Sequence, residues 1–395
     1  MATKARPRTH TAPNNQVSDR TDAALTTLVE RLSSRRSLHH VNLAVASTDG
    51  RHRWAGAAGP ERTDGPQARP EAPFFIASIT KRFIITLVLQ AHERGELDLD
   101  VPITAYLPRS VTHRLHMHQG VDRTPQITVR HLASHTSGLP DFFEHRHEGQ
   151  SRHHQLRAGR DVSWTFDDAI AANRQQRTLF APQDLSANSQ RARYSDTGFL
   201  LLIHLLQTVT ATPFAELLTA RIAVPLGLTR TWHPAATPGA MDLPTPLPLH
   251  ARRRPVNIDG IIASSHDLYS TTDDLLTFER ALWVGEPFAD SRTRLLLTER
   301  QNRLRNAPGL RYGLGTMVFT VNRLMLPRRA PVTLIGHSGA TGTWLFTCPE
   351  LGVHLTGTID QTQAYQLPFW IMAHCLRIWT ADDDRTAVSD ERSRG

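Results

Sequence analysis

The hydrophobic positions near the start of the chain form one helical pattern followed by two strand patterns. Within residues 20–35, leucine and valine recur at the spacing of one helix face. Residues 41–47 then alternate as in a half-buried strand, and the turn Thr48-Asp49-Gly50 leads into a second strand that reaches Trp54. The chain is therefore predicted to begin with a helix and two strands.

The end of the chain carries the same elements in the reverse order. Apolar runs at residues 332–335, 343–348 and 353–359 predict three strands, and residues 368–379 predict a closing helix. Because strands come from both ends of the chain and helices flank them, we expect one antiparallel sheet covered by the terminal helices.

The long middle of the chain is dominated by helical patterns, for example at residues 200–209, 213–222 and 272–283. We therefore predict an α+β fold with one inserted region. Its predicted parts are an α/β body from residues 20–81 and 300–380, a mostly helical inserted region from 82–299, and disordered polar tails at 1–19 and 381–395.

Charge and hydropathy bear on the possible partners. The formal net charge is +8 and the pI is near 10.2. The densest basic clusters, Arg252-Arg253-Arg254 and Arg328-Arg329, are short and lack interleaved aromatic residues, so we expect no nucleic-acid partner. The polar N-terminus lacks the apolar part of a secretory signal, and no stretch reaches the roughly 18 apolar residues of a membrane span. We therefore expect no membrane partner and a cytoplasmic location.

The cysteines and histidines do not form a recognised metal motif. Cys348 and Cys375 have no zinc spacing, and both a place in the core and a disulfide between them remain open. His131 and His135 lie four residues apart, and further histidines crowd residues 113–154, but no acidic partner completes a zinc motif. We expect surface histidines in the inserted region, and neither a metal nor another cofactor.

Lysine is almost absent from this arginine-rich chain. Only Lys4, in the N-terminal tail, and Lys81 are lysines. Lys81 stands three residues after Ser78, at the start of a predicted helix, so both side chains lie on one helix face. A lysine can act as a base once its pKa falls from about 10.4, whereas arginine keeps its proton. A capping serine with a lysine that reaches solvent is the alternative interpretation.

Two further segments carry candidate chemistry. Tyr194-Ser195-Asp196 precedes a strongly helical stretch, and His337-Ser338-Gly339 lies between two predicted strands. The second segment nearly matches the Gly-x-Ser-x-Gly nucleophile turn of α/β-hydrolases, which would make Ser338 the nucleophile. That motif requires a helix after the serine, and the sequence predicts a strand there instead.

Taken together, these motifs resemble the serine β-lactamase and penicillin-recognising hydrolases, a family that includes class C β-lactamases, D-alanyl-D-alanine carboxypeptidases and family VIII carboxylesterases. Residues 129–141, 194–228 and 270–275 look like further segments of that family, and the resemblance extends over roughly residues 25–380. It implies a β-lactamase/transpeptidase-like fold.

The resemblance also implies roles for individual residues. Ser78 would be the acylated nucleophile, Lys81 its proton-relay partner and Tyr194 the general base. The oxyanion hole would be formed by the backbone amides of Ser78 and Ala340, the latter directly after Gly339. His337 would take the place of the lysine in the Lys-Thr-Gly form of the motif and, when protonated, would bind a substrate carboxylate.

Two positions depart from the family pattern. Asp196 stands where asparagine is usual, and a carboxylate there would keep Lys81 charged and place more of the base role on Tyr194. The second departure is the segment Ser264-Ser265-His266-Asp267-Leu268, where relatives commonly have a glycine pair.

The predicted function is that of an esterase-like serine hydrolase, which acts through an acyl-enzyme on small-molecule esters or amides. A D-alanyl-D-alanine carboxypeptidase or a β-lactamase is the alternative within the family. A catalytically silent scaffold or binding protein of the same fold is the alternative of another class. The oligomeric state is left open.

Overall fold

The computed structural model describes residues 14–62, 64–147, 149–234, 243–327, 329–364 and 366–393. The helices are α1 (Asn14–Ser33), α2 (Thr80–Glu93), α3 (Arg109–Thr112), α4 (Val129–Ala133), α5 (Arg152–Arg157), α6 (Phe166–Arg174), α7 (Asp196–Thr210), α8 (Phe214–Leu218), α9 (Asp259–Ser264), α10 (Thr272–Val284) and α11 (Leu367–Ser393). Short 3-10 helices include Ala77–Ile79, and Thr219–Ala223 forms a π-helical turn.

The strands fall into one large sheet and several two-residue pairs. They are β1 (Val41–Ser47), β2 (Arg53–Ala58), β3 (Phe74–Phe75), β4 (Met117–His118), β5 (Val121–Asp122), β6 (Arg146–His147), β7 (Gln150–Ser151), β8 (His250–Ala251), β9 (Arg254–Pro255), β10 (Tyr269–Ser270), β11 (Asn302–Arg303), β12 (Leu310–Tyr312), β13 (Met317–Val321), β14 (Val332–Gly339), β15 (Thr343–Cys348) and β16 (Val353–Thr358).

The large sheet joins the two ends of the chain. Its eight strands run in the order β11-β12-β13-β14-β15-β16-β1-β2, and neighbouring strands pair antiparallel. The pairing of β1 with β16 therefore places the N-terminal hairpin beside the C-terminal strands. At Gly357 an added Cβ would lie 2.4 Å from the ring of Trp344, so the absence of a side chain makes room for this fully buried indole.

Helices cover both faces of the sheet. Side chains alternate along β15, where Thr347 donates a hydrogen bond to Glu279 of α10, while the neighbouring Phe346 contacts Phe369 of α11 from the other face. Helix α1 packs beside α11 and against β1 and β2. The sheet is thus the middle layer between two helical layers, and the predicted α+β fold is confirmed.

The structure extends several predicted elements. Strand β14 continues to Gly339, four residues beyond the predicted end, and β11, β12 and β13 occupy a region for which no strand was predicted. Strands β11 and β12 have only two and three residues, and strands that short leave little alternating pattern in the sequence. Helix α10 lies within the predicted insertion 82–299, yet it packs on β1, β15 and β16.

The two predicted tails also differ from the structure. Helix α1 begins at Asn14, inside the predicted tail 1–19, and α11 continues through residues 381–393 to Ser393. Both added stretches lack glycine and proline, and extending an existing helix is far easier than nucleating a new one. Residues 1–13 and 394–395 lie outside the described part of the chain.

Over the described ranges, no single helix is long and apolar enough to cross a membrane. One pair, Asp196–Thr210 with Phe214–Ala223, reaches that length and composition only when its two helices are taken together, and they are bent by 82°.

Candidate active site

Ser78 lies in a strained turn that leads directly into α2. It is the middle residue of the 3-10 helix Ala77–Ile79, and Ala77 has a φ of +46°, a conformation that costs energy for a residue with a side chain. Ile76 and Ile79, on either side, are fully buried. No side-chain capping hydrogen bond is formed at the start of this 3-10 helix or of α2, so Ser78 is not acting as a cap.

The end of β14 packs closely against this turn. An added Cβ at Gly339 would lie 2.1 Å from Thr343 Oγ1 and 3.0 Å from the Ile76 carbonyl oxygen, and Thr343 Oγ1 donates a hydrogen bond to that same carbonyl over 3.1 Å. Only glycine allows this approach. The approach brings Ala340, the next residue, to the same pocket as Ser78.

The structure brings Ser78, Lys81, Tyr194 and Asp196 together. Ser78 Oγ accepts a hydrogen bond from Lys81 Nζ at 3.1 Å and another from the Tyr194 hydroxyl at 3.0 Å. Lys81 Nζ also lies 2.6 Å from Asp196 Oδ1. The Lys81 side chain is 7% exposed, so the alternative of a lysine that reaches solvent is wrong.

The loop before α7 holds Tyr194 at this position. Its backbone amide donates to Asn306 Oδ1 at 3.0 Å, and the Asn306 side-chain amide donates back to the Tyr194 carbonyl at 3.1 Å. The next backbone amide, of Ser195, donates to His135 Nδ1 at 3.3 Å. Long-range polar contacts thus fix the phenol opposite the serine.

The carboxylates determine the charge state of this cluster. Burial alone lowers the pKa of Lys81, but the negative charges of Asp196 and Asp267 outweigh it, so the net pKa is raised. Burial and, next, the charge of Asp196 raise the pKa of Tyr194 well above its usual value. The expected effect of Asp196 on Lys81 therefore agrees with the structure. A Tyr194 phenolate that is ready to act as the base does not agree with the structure, because the charge of Asp196 disfavours the deprotonated phenol as well.

Behind Tyr194 lies an aromatic cluster that we define as His135, Tyr312 and His337. The His135 ring centroid is 4.5 Å from that of Tyr194 and 4.4 Å from that of Tyr312. The Tyr312 hydroxyl and His337 Nε2 are 3.0 Å apart, and both side chains are fully buried. Tyr312 was not among the predicted site residues, because it lies in a three-residue strand and belongs to none of the sequence motifs.

His337 does not occupy the predicted substrate-binding position. It is absent from the described residues that line the pocket, whereas its neighbours Ser338, Gly339 and Ala340 all line it. Successive side chains of β14 point to opposite faces, and His337 is turned toward Tyr312. Burial, followed by the charge of Lys81, lowers its pKa well below the usual value. A protonated His337 that binds a carboxylate does not fit this environment.

The pocket above Ser78 has a volume of about 620 Å³ and is largely apolar. One wall is aromatic, with Phe142, Phe143 and Trp164 in mutual ring contact. Ser264, in the segment that departs from the family pattern, accepts a hydrogen bond from the Trp164 backbone amide at 2.8 Å. This departure from the family pattern therefore supports the aromatic wall.

The remaining candidates have structural surroundings. Ser338 Oγ contacts Met317 Sδ at 3.4 Å and precedes a strand, so it lacks the setting of an α/β-hydrolase nucleophile.

Cys348 and Cys375 are buried and free. In the described part of the chain, no group of three or more histidine, cysteine or acidic side chains is placed to hold a metal ion. His116 is buried, so the expectation of surface histidines is wrong for this residue. His131 and His135, in the segment 129–141 that resembles the family, are buried as well.

An antiparallel sheet with a serine, a lysine and a tyrosine gathered at one end of β14 is the arrangement that the sequence resemblance implied. The family described as Beta-lactamase matches residues 25–363, and the chain belongs to this family.

Individual proteins are similar over different lengths. Penicillin-binding protein 4* of Bacillus subtilis (strain 168) is 24% identical over 318 residues, which is 74% of this chain and 62% of that protein, so the chain spans less than two thirds of this relative. The D-amino acid amidase from Ochrobactrum anthropi SV3, solved with L-phenylalanine amide, has a TM-score of 0.70 at 21% identity and covers 92% of this chain and 99% of its own. EstCE1, a hydrolase with promiscuous acyltransferase activity, has a TM-score of 0.71 at 19% identity and covers 92% of this chain and 100% of its own.

Proposed function

We propose that this protein is a serine hydrolase that cleaves small esters or amides through an acyl-enzyme on Ser78. The observation that carries the proposal is the geometry at Ser78 Oγ, which accepts hydrogen bonds from both Lys81 and Tyr194 at the floor of an apolar pocket. A nucleophilic serine requires a partner that can take its proton, and both candidate partners lie within hydrogen-bond distance.

Acylation begins with the removal of the Ser78 proton. Because Lys81 and Tyr194 both hold their protons near neutral pH, we propose that Lys81 first passes a proton to Asp196, whose Oδ1 lies 2.6 Å from Nζ. The neutral amine then accepts the Ser78 proton as Oγ forms its bond to the substrate carbonyl carbon. Asp196 is thus the final proton acceptor in this step.

The tetrahedral intermediate then collapses. We propose that the backbone amides of Ser78 and Ala340 bind its oxyanion and that the Tyr194 hydroxyl gives its proton to the leaving alcohol or amine. As the bond to the leaving group breaks, Tyr194 regains a proton from Lys81. In the second half-reaction a water molecule attacks the acyl carbonyl carbon and gives its proton to the neutral Lys81. As the bond to Ser78 Oγ breaks, Tyr194 gives Oγ a proton and regains one from Lys81, and the acid is released. Asp196 then returns its proton to Lys81.

The names of two relatives support ester and amide substrates. They include Esterase EstB of Burkholderia gladioli and the D-amino acid amidase of Ochrobactrum anthropi SV3. A D-alanyl-D-alanine carboxypeptidase remains the alternative, because a carboxypeptidase/endopeptidase, AmpH of Escherichia coli, is also similar. The neutral, buried His337 counts against this alternative, since a carboxypeptidase must bind a terminal carboxylate.

The test is a panel of p-nitrophenyl esters, nitrocefin and D-Ala-D-Ala peptides, measured with wild type, Ser78→Ala and Ser338→Ala. We expect ester hydrolysis in wild type and Ser338→Ala, and none in Ser78→Ala. A fluorophosphonate probe should label wild type but not Ser78→Ala. Turnover that survives in Ser78→Ala would overturn the proposal, and the absence of both labelling and turnover in wild type would favour a silent scaffold. A cytoplasmic location is also proposed and is testable by cell fractionation.

A further inference from the structure

The charges inside the pocket do not cancel. Besides the Tyr194 phenol, the described lining includes eight acidic or basic side chains, namely Lys81, Asp141, Glu144, His153, Arg157, Asp196, His266 and Asp267. Most of these groups are neutral or already paired. Lys81 is paired with Asp196 at 2.6 Å, and Glu144 with Arg193 at 3.0 Å.

Two further lining groups contribute no charge, and the charged form of a third is disfavoured. Burial lowers the pKa of His153 and brings that of His266 to about 4, so both rings are neutral near pH 7. Burial, then the charge of Asp196, raises the pKa of Asp141 well above its usual value and favours its neutral acid. The net charge of the inner pocket therefore depends on Asp267 and Arg157.

Asp267 is held beside the nucleophile turn. The next residue, Leu268, accepts a hydrogen bond from the Ile76 amide at 3.0 Å and donates one to Thr80 Oγ1 at 3.1 Å. These two contacts bracket Ser78 in the sequence and fix the backbone that carries Asp267. Burial raises the pKa of Asp267 to about 6, which still leaves a carboxylate at neutral pH.

Arg157 and His337 do not offset Asp267 within the pocket. Arg157 lies on the last turn of α5 and is exposed to solvent, and the charges that act on the pKa of Asp267 are those of Lys81 and Asp196. His337 is neutral and faces away from the lining. Lys81 therefore stands against two carboxylates, those of Asp196 and Asp267, so the inner pocket holds one negative charge that Lys81 does not balance. The lining of the same pocket includes the aromatic wall.

We infer that the Asp267 carboxylate binds an ammonium group of the substrate, so that the enzyme selects amine-bearing esters or amides with an apolar body over neutral or carboxylate-bearing ones. This inference rests on the proposed hydrolase function. A carboxylate in a poorly hydrated pocket attracts a cation and repels an anion, and aromatic faces also favour cations. Asp267 is thereby a specificity-determining residue.

The experiment compares p-nitroanilides of three kinds, which share one apolar body and differ in the charge that it carries. They are phenylalanine p-nitroanilide in both enantiomers, the uncharged 3-phenylpropanoyl p-nitroanilide, and the analogue with a carboxylate in place of the ammonium group. We expect kcat/KM of wild type to be about tenfold or more higher for the ammonium substrate than for the uncharged one, because a hydrogen bond between charged groups contributes enough binding free energy for that ratio. Asp267→Asn should reduce that ratio to about one. Because Asp267 also raises the pKa of Lys81, the readout is the ratio of the two substrates within each variant and not the absolute rate.

Glu144→Gln is the matched control, because it also removes one carboxylate from the lining, but one that is paired with Arg193. Its ratio should stay close to that of wild type. A wild-type ratio near one, or a ratio unchanged in Asp267→Asn, would overturn the inference while leaving Ser78-dependent hydrolysis intact.

A second measurement does not need turnover of an amide. The ammonium compound 2-phenylethylamine should slow labelling of Ser78 by a fluorophosphonate in wild type, but not in Asp267→Asn, and 3-phenylpropanoate should give no protection. Labelling that the amine does not slow would contradict the inference. A wild type that is not labelled at all would contradict the proposed function, and the inference with it.

Discussion

Lys81 and Arg82 are neighbours on α2, and both are buried cations beside a carboxylate, yet their surroundings differ. Arg82 Nη2 donates to both oxygens of Glu279 at 3.0 Å, and its Nη1 donates to Thr316 Oγ1 at 2.7 Å. Arg82 and Glu279 are 3% and 1% exposed. Lys81 contacts Asp196, which is 29% exposed, and points into the pocket beside Ser78.

The difference shows how one kind of ion pair serves two purposes. An arginine keeps its proton in a protein, so the pair of Arg82 and Glu279 can only join α2 to α10. A lysine can release its proton, and a partly exposed carboxylate can accept it. The pair of Lys81 and Asp196 is therefore suited to proton transfer, whereas the neighbouring pair is suited to holding the nucleophile helix in place.

The substitution Lys81→Arg tests this distinction with the largest expected effect. The charge is kept, but the side chain can no longer take the Ser78 proton, so we expect kcat/KM for an ester to fall about 10²- to 10⁴-fold. The reciprocal Arg82→Lys should keep most of the activity and instead lower the melting temperature. If Lys81→Arg retained wild-type kcat/KM, Lys81 would not be acting as a base.

Glu279→Gln tests the structural pair. It leaves the Arg82 charge buried without its counterion, which costs about 3–5 kcal/mol of unfolding free energy. Urea denaturation monitored by circular dichroism measures that loss. The double variant Arg82→Met/Glu279→Leu removes both charges and should recover part of it. A Glu279→Gln protein as stable as wild type would contradict the structural role.

The sequence could predict the members of the site that local spacing or family motifs reveal. Ser78 and Lys81 are three residues apart on one helical turn, so their proximity follows from helix geometry alone. Tyr194 and Gly339–Ala340 came from the resemblance, and the structure places all of them at the same pocket. The terminal helices and strands were predictable because their hydrophobic patterns are long and regular.

Contacts between distant segments could not be predicted in this way. Glu279 is 197 residues from Arg82, and no local pattern pairs them. His337 was expected to face the substrate, but its side-chain direction depends on where β14 ends and on Tyr312 behind it. Asp267 carried no motif, and its importance follows only from the neighbours that the fold brings to it.

The smallest expected effect concerns the carboxylate of the catalytic pair. Asp196→Asn removes the group that accepts the Lys81 proton, but it also lowers the pKa of Lys81, so the neutral amine becomes available without that transfer. Because the family's usual residue is restored as well, we expect kcat/KM near neutral pH to stay within about tenfold of wild type. The charge of Asp196 raises the pKa values of both Lys81 and Tyr194, and its removal therefore lowers both. Their deprotonated forms become populated at lower pH.

The acid limb of the pH profile of kcat/KM should accordingly move to lower pH in Asp196→Asn. The same profile measured on Glu279→Gln should keep its acid limb in place, because Arg82 does not titrate. The two variants each remove a carboxylate from a neighbouring buried cation, so the contrast isolates the lysine. An acid limb that stays fixed in Asp196→Asn would show that Asp196 does not control the proton on Lys81, and the two ion pairs would then both be structural.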